Sequence, residues 1–257
     1  MSYAIFSMIC YCVSILLIAP TLARGKTATT NKMFVLLTAL AGMILHYLSL
    51  HYWQDTTPNG TTMTLLEVSS LLSLVIAILA TIPLCLKVRT ISFLLPIAYS
   101  AAIINLIMAE FIPSQMVQLH QHVFAHIVLS MVAYSVCFIA MLYSIQIVWL
   151  DRNLKQKKIM PSADIPPLML VERHFFRVLL SGEILLTITL ISGAFYLAEA
   201  FEPTNIHKAL FSFFAWIVFG VLLFGHWKWH WRGKRMIIFT ISGIILLTIA
   251  YFGSKIL

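Results

Sequence analysis

Histidine is the residue type of this 257-residue chain that could do chemistry, and nine are present. An imidazole binds metal ions and carries protons near neutral pH. His46 and His126 stand inside long apolar runs, where a polar side chain without a partner is costly. His122 lies four residues before His126 and shares its face if this segment is helical. Two histidines alone are fewer than the three or four protein ligands that zinc uses.

The composition places these histidines in a membrane. The chain is 61% hydrophobic and only 10% charged, whereas a soluble domain is about 45–50% apolar and about 25% charged. So few charges cannot cover a surface that faces water. This excludes an ordinary soluble enzyme and a nucleic-acid-binding domain, although the net charge is +8. The expected surroundings are the lipid bilayer.

Eight apolar segments are long enough to be predicted as membrane spans. They cover residues 3–22, 33–53, 64–86, 91–111, 119–150, 174–198, 209–226 and 236–254. We therefore predict an all-α, polytopic membrane protein, a bundle of eight transmembrane helices that forms a single integral-membrane domain over residues 1–257. The fifth segment exceeds the roughly 20 residues of a simple span, so we expect its ends to continue as helix beyond the hydrocarbon.

The basic residues predict the orientation. Fifteen of the 17 Lys and Arg residues follow the odd-numbered spans or begin the sixth, and the other two are Lys208 and Lys255. Because Lys and Arg concentrate on the cytoplasmic side, both termini are expected to face outward. The first apolar run precedes its basic residues, which argues against a cleavable signal. The expected location is the bacterial inner (cytoplasmic) membrane, with multiple passes.

The depths of two histidines suggest haem ligation. At about 1.5 Å per helical residue, His46 lies roughly 20 Å from the cytoplasmic edge of its span. His126 lies about 10 Å below the outer surface by the same rise. In a hydrocarbon core about 30 Å thick, the two imidazoles lie at a similar depth on different helices. Axial ligation of haem iron uses one imidazole on each face of the ring, so we predict His126 and His46 as axial ligands.

Other reactive groups give weaker signals. The four cysteines form no C-x-x-C or C-x-x-C-H spacing, so disulfide, thiol redox and covalent haem chemistry are not predicted. Glu183 lies inside the sixth span, which indicates either a protonated carboxyl group bonded to a neighbouring helix or part of a proton or substrate path. We find no nucleophile–base pair or metal-hydrolase motif, and we predict that the chain is not an enzyme.

Several motifs follow one another in the second half of the chain. They are His126 with Tyr134 eight residues later, the run Thr187-Ile-Thr-Leu-Ile-Ser-Gly193, the inner-loop segment from Pro166 to Arg173, the pair Gly225-His226, and the ending from Trp231 to Lys255. In this order they resemble the cytochrome c assembly protein superfamily that includes CcsA and CcmC. Within it they resemble the YpjD/HemX-like inner-membrane branch, over nearly the whole chain.

The resemblance implies a protein that handles haem b at the membrane. By position it implies His126 as an outer-face ligand and His46 with His226 as a pair within the membrane. The depth argument instead places His46 near His126, so the pairing stays open. His207 or His122 would be the second outer ligand. The matching outer loop, residues 199–208, contains no Trp, whereas relatives present haem from a Trp-rich loop.

Two functions remain in view. The first is a haem-binding inner-membrane protein, an accessory in cytochrome assembly or in another haem-linked membrane function rather than a synthetase. Its expected partners are haem and other membrane assembly proteins, with no nucleic acid. The alternative is a membrane transport or transporter-regulating protein whose histidines are structural and which binds no haem.

The orientation can be tested with reporter fusions. The asymmetry of the basic residues predicts that a reporter fused after Lys157 is cytoplasmic and one fused after Thr57 is external. Paired phosphatase and fluorescent-protein fusions measure this directly. The opposite pattern would remove the basis of the depth argument for His46 and His126.

Overall fold

The computed structural model describes residues 2–24, 32–53, 56–57, 60–85, 94–112, 116–119, 121–156, 167–196 and 206–252. These residues form eight helices and three short strands. The helices are α1 (Ser2–Arg24), α2 (Lys32–Trp53), α3 (Leu65–Cys85), α4 (Leu94–Phe111), α5 (Gln121–Lys155), α6 (Leu168–Tyr196), α7 (Ile206–Trp229) and α8 (Lys234–Phe252). The strands are β1 (Thr56–Thr57), β2 (Gly60–Thr64) and β3 (Met116–Leu119).

Each predicted span is a helix, which confirms the polytopic helical fold. Within the described residues, seven helices are long and apolar enough to cross a membrane. The remaining helix, α3, has a shorter apolar stretch, Leu66–Ile82. The long fifth segment is one helix of 35 residues, and it extends beyond residue 150 as expected.

Some helices do not begin where the predicted membrane spans begin. α6 begins at Leu168 rather than at residue 174, and α7 begins at Ile206 rather than at 209. His207 therefore lies in the first turn of a helix instead of in a loop. Helices can run past the hydrocarbon because long basic side chains reach the headgroups while the backbone keeps its hydrogen bonds. Residues 116–119 form a strand, so α5 begins at Gln121.

The chain divides into two compact units. The first contains α1 to α4 and the three strands. In it, α1 packs against α2 and α4, and α3 packs against the same two helices. The second unit contains α5 to α8. Its α7 packs against α6 and α8, and α5 is hydrogen-bonded to α6 and α8. Each unit is thus a four-helix bundle in which helices adjacent in sequence are adjacent in space.

The interior of each unit mixes apolar side chains with small polar ones, whereas the outward helix faces are strongly apolar, unlike those of a soluble bundle. On α1 the buried face includes Ser7, Tyr11 and Ser14, all of which are fully buried. Its outward face includes Phe6 and Leu16, which are 57% and 69% exposed. Such a face would be unstable in water and is expected only where the solvent is lipid.

The three strands of the first unit form a small antiparallel sheet. β2 pairs antiparallel with β1 and with β3, so the α2–α3 connection is joined to the segment before α5. α3 then starts with a capping box: Thr64 N–H donates to Glu67 Oε2 at 2.7 Å, and Glu67 N–H donates to Thr64 Oγ1 at 3.2 Å. This satisfies backbone donors that a helix start leaves unpaired. The hydropathy pattern did not predict the sheet.

Glycine permits the close approach of α7 and α8. A Cβ added at Gly243 would overlap the ring of Phe219, and Phe219 is completely buried. We expect Gly243→Ala to lower the free energy of unfolding by about 1–3 kcal/mol, since overpacking forces a shift in a close-packed interface. Thermal unfolding in detergent measures this.

A double variant tests the cause of that loss. Phe219→Leu removes the overlapping ring, so adding it to Gly243→Ala is expected to cost less than the two single changes together. Strictly additive losses would contradict a direct contact between the two positions.

Candidate functional site

His46 lies in the core of the first unit and has two hydroxyl partners. Its side chain is 0% exposed. Nδ1 lies 3.3 Å from the Tyr11 hydroxyl, and Nε2 lies 2.9 Å from the Ser70 hydroxyl. Iron binding through either nitrogen would require one of these hydrogen bonds to break. The observed geometry is that of a histidine satisfied by its neighbours, and its role as a haem ligand stays a prediction.

The contacts of His46 extend through the first unit. The Tyr11 ring stacks on Tyr99 with ring centroids 5.4 Å apart. The Tyr99 hydroxyl lies 2.9 Å from Thr81 Oγ1. The network therefore includes a side chain from each of the four helices. Buried polar networks of this kind fix which helix faces meet, provided that their members are satisfied.

His126 has a different environment in the second unit. It lies near the start of α5, is half-buried, and its Nδ1 is 2.9 Å from the Ser192 hydroxyl on α6. Ser192 donates its hydrogen to the Thr189 carbonyl oxygen at 2.9 Å. The Ser192 oxygen is then the acceptor, and His126 Nδ1–H is the donor. In a neutral imidazole this leaves Nε2 with the lone pair.

Nε2 of His126 is available as a ligand. Within the described parts of the chain, the structure records no hydrogen bond to it. Gly193 lies beside the same edge of the ring, where an added Cβ would be 3.2 Å from Cε1 and 3.8 Å from Nε2. A metal-binding histidine commonly has its other nitrogen hydrogen-bonded, which fixes the tautomer and the ring orientation. The His126–Ser192 pair has this arrangement.

Three of the motifs identified in the sequence meet along α5. The run that ends at Gly193 supplies Ser192 and faces α5. Tyr134, two helical turns beyond His126, has its hydroxyl 2.9 Å from Thr248 Oγ1 on α8. Its ring also contacts Tyr251, with centroids 5.6 Å apart. The spacing of His126 and Tyr134 thus places them against α6 and α8, respectively.

His226 lies at the opposite end of the second unit. Its Nδ1 lies 3.3 Å from the Trp231 carbonyl oxygen, so Nδ1–H is the donor and Nε2 carries the lone pair. Its ring stacks on Phe176 with centroids 3.4 Å apart. Phe176 and Ser192 are separated along α6 by roughly 24 Å at 1.5 Å per residue. His126 and His226 therefore cannot ligate the same iron.

The end of α7 positions the partner of His226. His230 has φ of 51°, and its N–H donates to the His226 carbonyl oxygen at 3.1 Å. A left-handed residue with this bond ends many helices, and His tolerates the conformation better than most residues. The chain then folds Trp231 back over Gly225, where any Cβ would overlap the indole ring. This reversal brings the Trp231 carbonyl to His226.

A cavity of about 740 Å³ adjoins His226 between α6 and α7. Its lining combines basic, aromatic and aliphatic side chains. Arg173, Arg177 and Arg232 supply positive charge, and Phe176, Phe224 and Trp227 supply aromatic surface. The volume lies within the range of about 300–1,000 Å³ that is usual for ligand pockets.

The remaining candidates do not assemble a further site in the described residues. His207 is exposed in the first turn of α7, at the same end of the second unit as His126. His120 and the side chains of His51 and His122 lie outside the described residues. Across the described ranges, no group of three or more His, Cys, Asp or Glu could hold a metal ion. Haem, which needs one or two axial imidazoles, does not require such a group.

Glu183 faces α7 in the middle of α6. A Cβ at Gly220 would lie 3.3 Å from Glu183 Oε1. Its Oε2 is buried and has no hydrogen-bond partner among the described residues. The structure thus does not show the hydrogen bond to a neighbouring helix that we considered, and the path function stays a prediction.

The sequence did not predict the hydrogen-bond partners of His46 and His126. Ser192 appeared only as part of a family-like run, and Ser70 and Tyr11 were not singled out. A hydroxyl in an apolar span is common because it can bond to its own helix, as Ser181 does to Arg177 O at 2.9 Å. The sequence therefore carries no signal that separates a serine bonded to its own helix from one that holds a histidine.

The tautomer of His126 can be measured. In Ser192→Ala the acceptor of Nδ1–H is lost, so we expect a mixture of tautomers and a loss of about 1 kcal/mol in the free energy of unfolding. Imidazole ¹⁵N shifts in nanodiscs, assigned by comparison with His126→Ala, report the change. Ser181→Ala on the same helix is the matched control. An unchanged His126 signal in Ser192→Ala would contradict the assignment.

Comparisons with known proteins agree with the motifs. The model of the cytochrome C assembly protein family matches residues 1–257. The inner membrane protein YpjD of Escherichia coli K12 is 38% identical over 261 aligned positions, which cover 99% of this chain and 97% of that protein. The cytochrome c biogenesis protein CcsA of Prochlorococcus marinus is 32% identical over 84 residues, 30% of this chain and 25% of that protein.

A further relative is an uncharacterized 28.8 kDa protein of Azospirillum brasilense, 30% identical over 134 residues, 51% of this chain and 49% of that protein. No solved structure matches the chain significantly. The likeness to YpjD extends over both four-helix units, and the seven apolar helices agree with an inner-membrane location. From the match over its whole length, this chain belongs to the cytochrome c assembly protein family and is a multi-pass protein of the inner membrane.

Proposed function

We propose that this chain binds haem in the membrane through His126 and acts as an accessory in cytochrome assembly rather than as an enzyme. The observation that carries the proposal is the contact of His126 Nδ1 with the Ser192 hydroxyl, which also bonds to the Thr189 carbonyl, because this arrangement favours Nε2 as the nitrogen that keeps its lone pair. Family membership supports a haem-related assembly role. A membrane assembly protein is the kind of partner that this role implies.

The residues around His126 have distinct roles in this proposal. Nε2 would be the axial ligand to the iron of a noncovalently bound haem b. Ser192 orients the imidazole, and its hydrogen bond increases the basicity of the ligand nitrogen. Gly193 leaves space beside the ligating edge of the ring, where a Cβ would be in close contact with His126. Haem would supply the iron, and the chain itself supplies orientation and an apolar setting.

The second axial ligand has three candidates with unequal support. His207 lies at the same end of the second unit as His126, and its exposed side chain is free to move. His46 would first have to lose its bond to Ser70. His226 lies too far along the unit to share an iron with His126, so it would belong to a separate haem. We therefore favour His207, which lies in the same unit, as the partner of His126.

The transport or transporter-regulating alternative is favoured by one observation. Both ring nitrogens of His46 have hydroxyl partners inside a closed network, which is what a structural histidine requires. If His126 also proved structural, the histidines of both units would fit that alternative.

An absorption spectrum of the purified full-length protein tests the proposal. Wild-type protein from haem-replete cells is expected to show a Soret band. In His126→Ala the band is expected to be lost and the haem affinity to fall by at least about tenfold, because a ligand bond is removed. His207→Ala and His46→Ala identify the second ligand by conversion from a low-spin to a high-spin spectrum. His174→Ala, on α6 at the other end of the unit, is the control and retains the band.

Two results would contradict haem binding at His126. The first is wild-type protein that contains no haem and binds none on titration. The second is a His126→Ala variant with the same affinity and spectrum as wild type. Membrane insertion of His126→Ala serves as the check on folding, because the change makes the span more apolar and should not impede insertion.

A further inference from the structure

The cavity beside His226 is separate from the haem site proposed at His126. Phe176, in its lining, is roughly 24 Å along α6 from Ser192, at 1.5 Å per residue. The cavity lies wholly within the second unit, between the start of α6, the end of α7 and the turn that follows α7. Its contents can therefore be considered without reference to His126.

The cavity has an excess of positive charge. Arg232 Nε lies 2.9 Å from Glu172 Oε1, and these two charges compensate each other. Arg173 and Arg177 are four residues apart and share one face of α6. Both are exposed, and the described ranges record no ion pair for either. Two guanidinium groups thus face the cavity without a recorded counter-charge, which favours an anionic ligand.

One wall of the cavity is apolar and open to lipid. Leu180, one turn beyond Arg177, is 50% exposed, and Phe224 on α7 is 47% exposed. Leu223 completes this wall. A small inorganic anion would gain nothing from such a surface. A molecule with a charged head and a hydrocarbon chain would contact both parts.

Aromatic residues place the cavity at headgroup level. Trp227 lines it and is 77% exposed, and the nearby Trp229 is 57% exposed. Exposed Trp residues concentrate at the membrane–water interface. Lys234 and Arg235 follow directly in the sequence, on the side that we predict to be cytoplasmic. Phospholipid phosphates lie at this level, whereas hydrocarbon alone lies deeper.

We propose that the cavity binds an anionic glycerophospholipid. Arg173 and Arg177 hold the headgroup phosphate, because a guanidinium matches phosphate oxygens with two parallel donors. One acyl chain lies along Leu180 and Phe224. Basic pockets between membrane helices on the cytoplasmic side commonly bind anionic headgroups. The proposal does not rest on haem binding, and failure of either leaves the other intact.

Native mass spectrometry of the full-length protein tests the proposal. The protein is purified from nanodiscs made with equal parts of phosphatidylglycerol and phosphatidylcholine. Wild type is expected to retain phosphatidylglycerol in preference to phosphatidylcholine. Arg173→Gln with Arg177→Gln is expected to reduce this preference by about tenfold or more, because two charged contacts to the headgroup are removed.

The matched control removes the same charge elsewhere. Arg152→Gln with Lys234→Gln changes two exposed basic residues of the same unit outside the cavity lining, and it should retain the lipid. A Leu180→Glu variant keeps both arginines but places a carboxylate on the apolar wall, and it should also lose the lipid. Thermal unfolding of each variant shows whether it is folded.

Each of three outcomes would overturn the proposal. The first is wild-type protein without enrichment of phosphatidylglycerol, a result that needs no variant. The second is a folded arginine variant that retains as much phosphatidylglycerol as wild type. The third is displacement of the bound lipid by inorganic phosphate at equal concentration, which would identify a site for the free anion instead.

Discussion

Inside hydrocarbon a polar side chain has no water to bond, so it must find its partner within the protein. Most hydroxyls in these helices bond to their own helix, as Ser135 does with the Met131 carbonyl at 2.7 Å. A few bond across helices instead, and these contacts tie each four-helix unit together. Trp216 Nε1–H, for example, donates to Thr187 Oγ1 at 2.9 Å and links α7 to α6. The same constraint decides which polar groups remain available to a ligand.

Two histidines differ in how many of their ring nitrogens have a hydrogen-bond partner. His46 has a hydroxyl at each ring nitrogen and is closed within its unit. His126 has one hydroxyl, at Nδ1, and that hydroxyl has its hydrogen committed to Thr189. Because Ser192 also bonds to the Thr189 carbonyl, the arrangement favours Ser192 as the acceptor and Nε2 of His126 as the nitrogen with the lone pair. The preferred tautomer of His126 thus rests on a backbone carbonyl through Ser192.

Hydropathy was sufficient to predict the helices, because apolar length is a property of a single segment. His126 was a candidate from its predicted depth and from its distance to Tyr134, and its role as a haem ligand stays a prediction. The sequence did not predict that both ring nitrogens of His46 have hydroxyl partners, because contact with Tyr11 and Ser70 depends on the rotation and register of three helices. The turn at His230 escaped prediction for a related reason. A histidine in the left-handed region replaces the glycine that usually marks a helix end, and the strands around Gly60 are too short to show alternation.

The second unit separates its chemistry by depth. Charged guanidinium groups are costly in hydrocarbon, so Arg173 and Arg177 lie where α6 begins and where headgroups can solvate or bind them. A neutral imidazole costs less once one nitrogen is bonded, so His126 can lie inside the span. A ligand for the arginines must carry charge and arrive from the interface, whereas a ligand for His126 must tolerate an apolar setting. The helix α6 carries Arg173 and Arg177 near its start and Ser192 near its end. A change in the tilt or rotation of α6 would therefore move residues of both proposed sites.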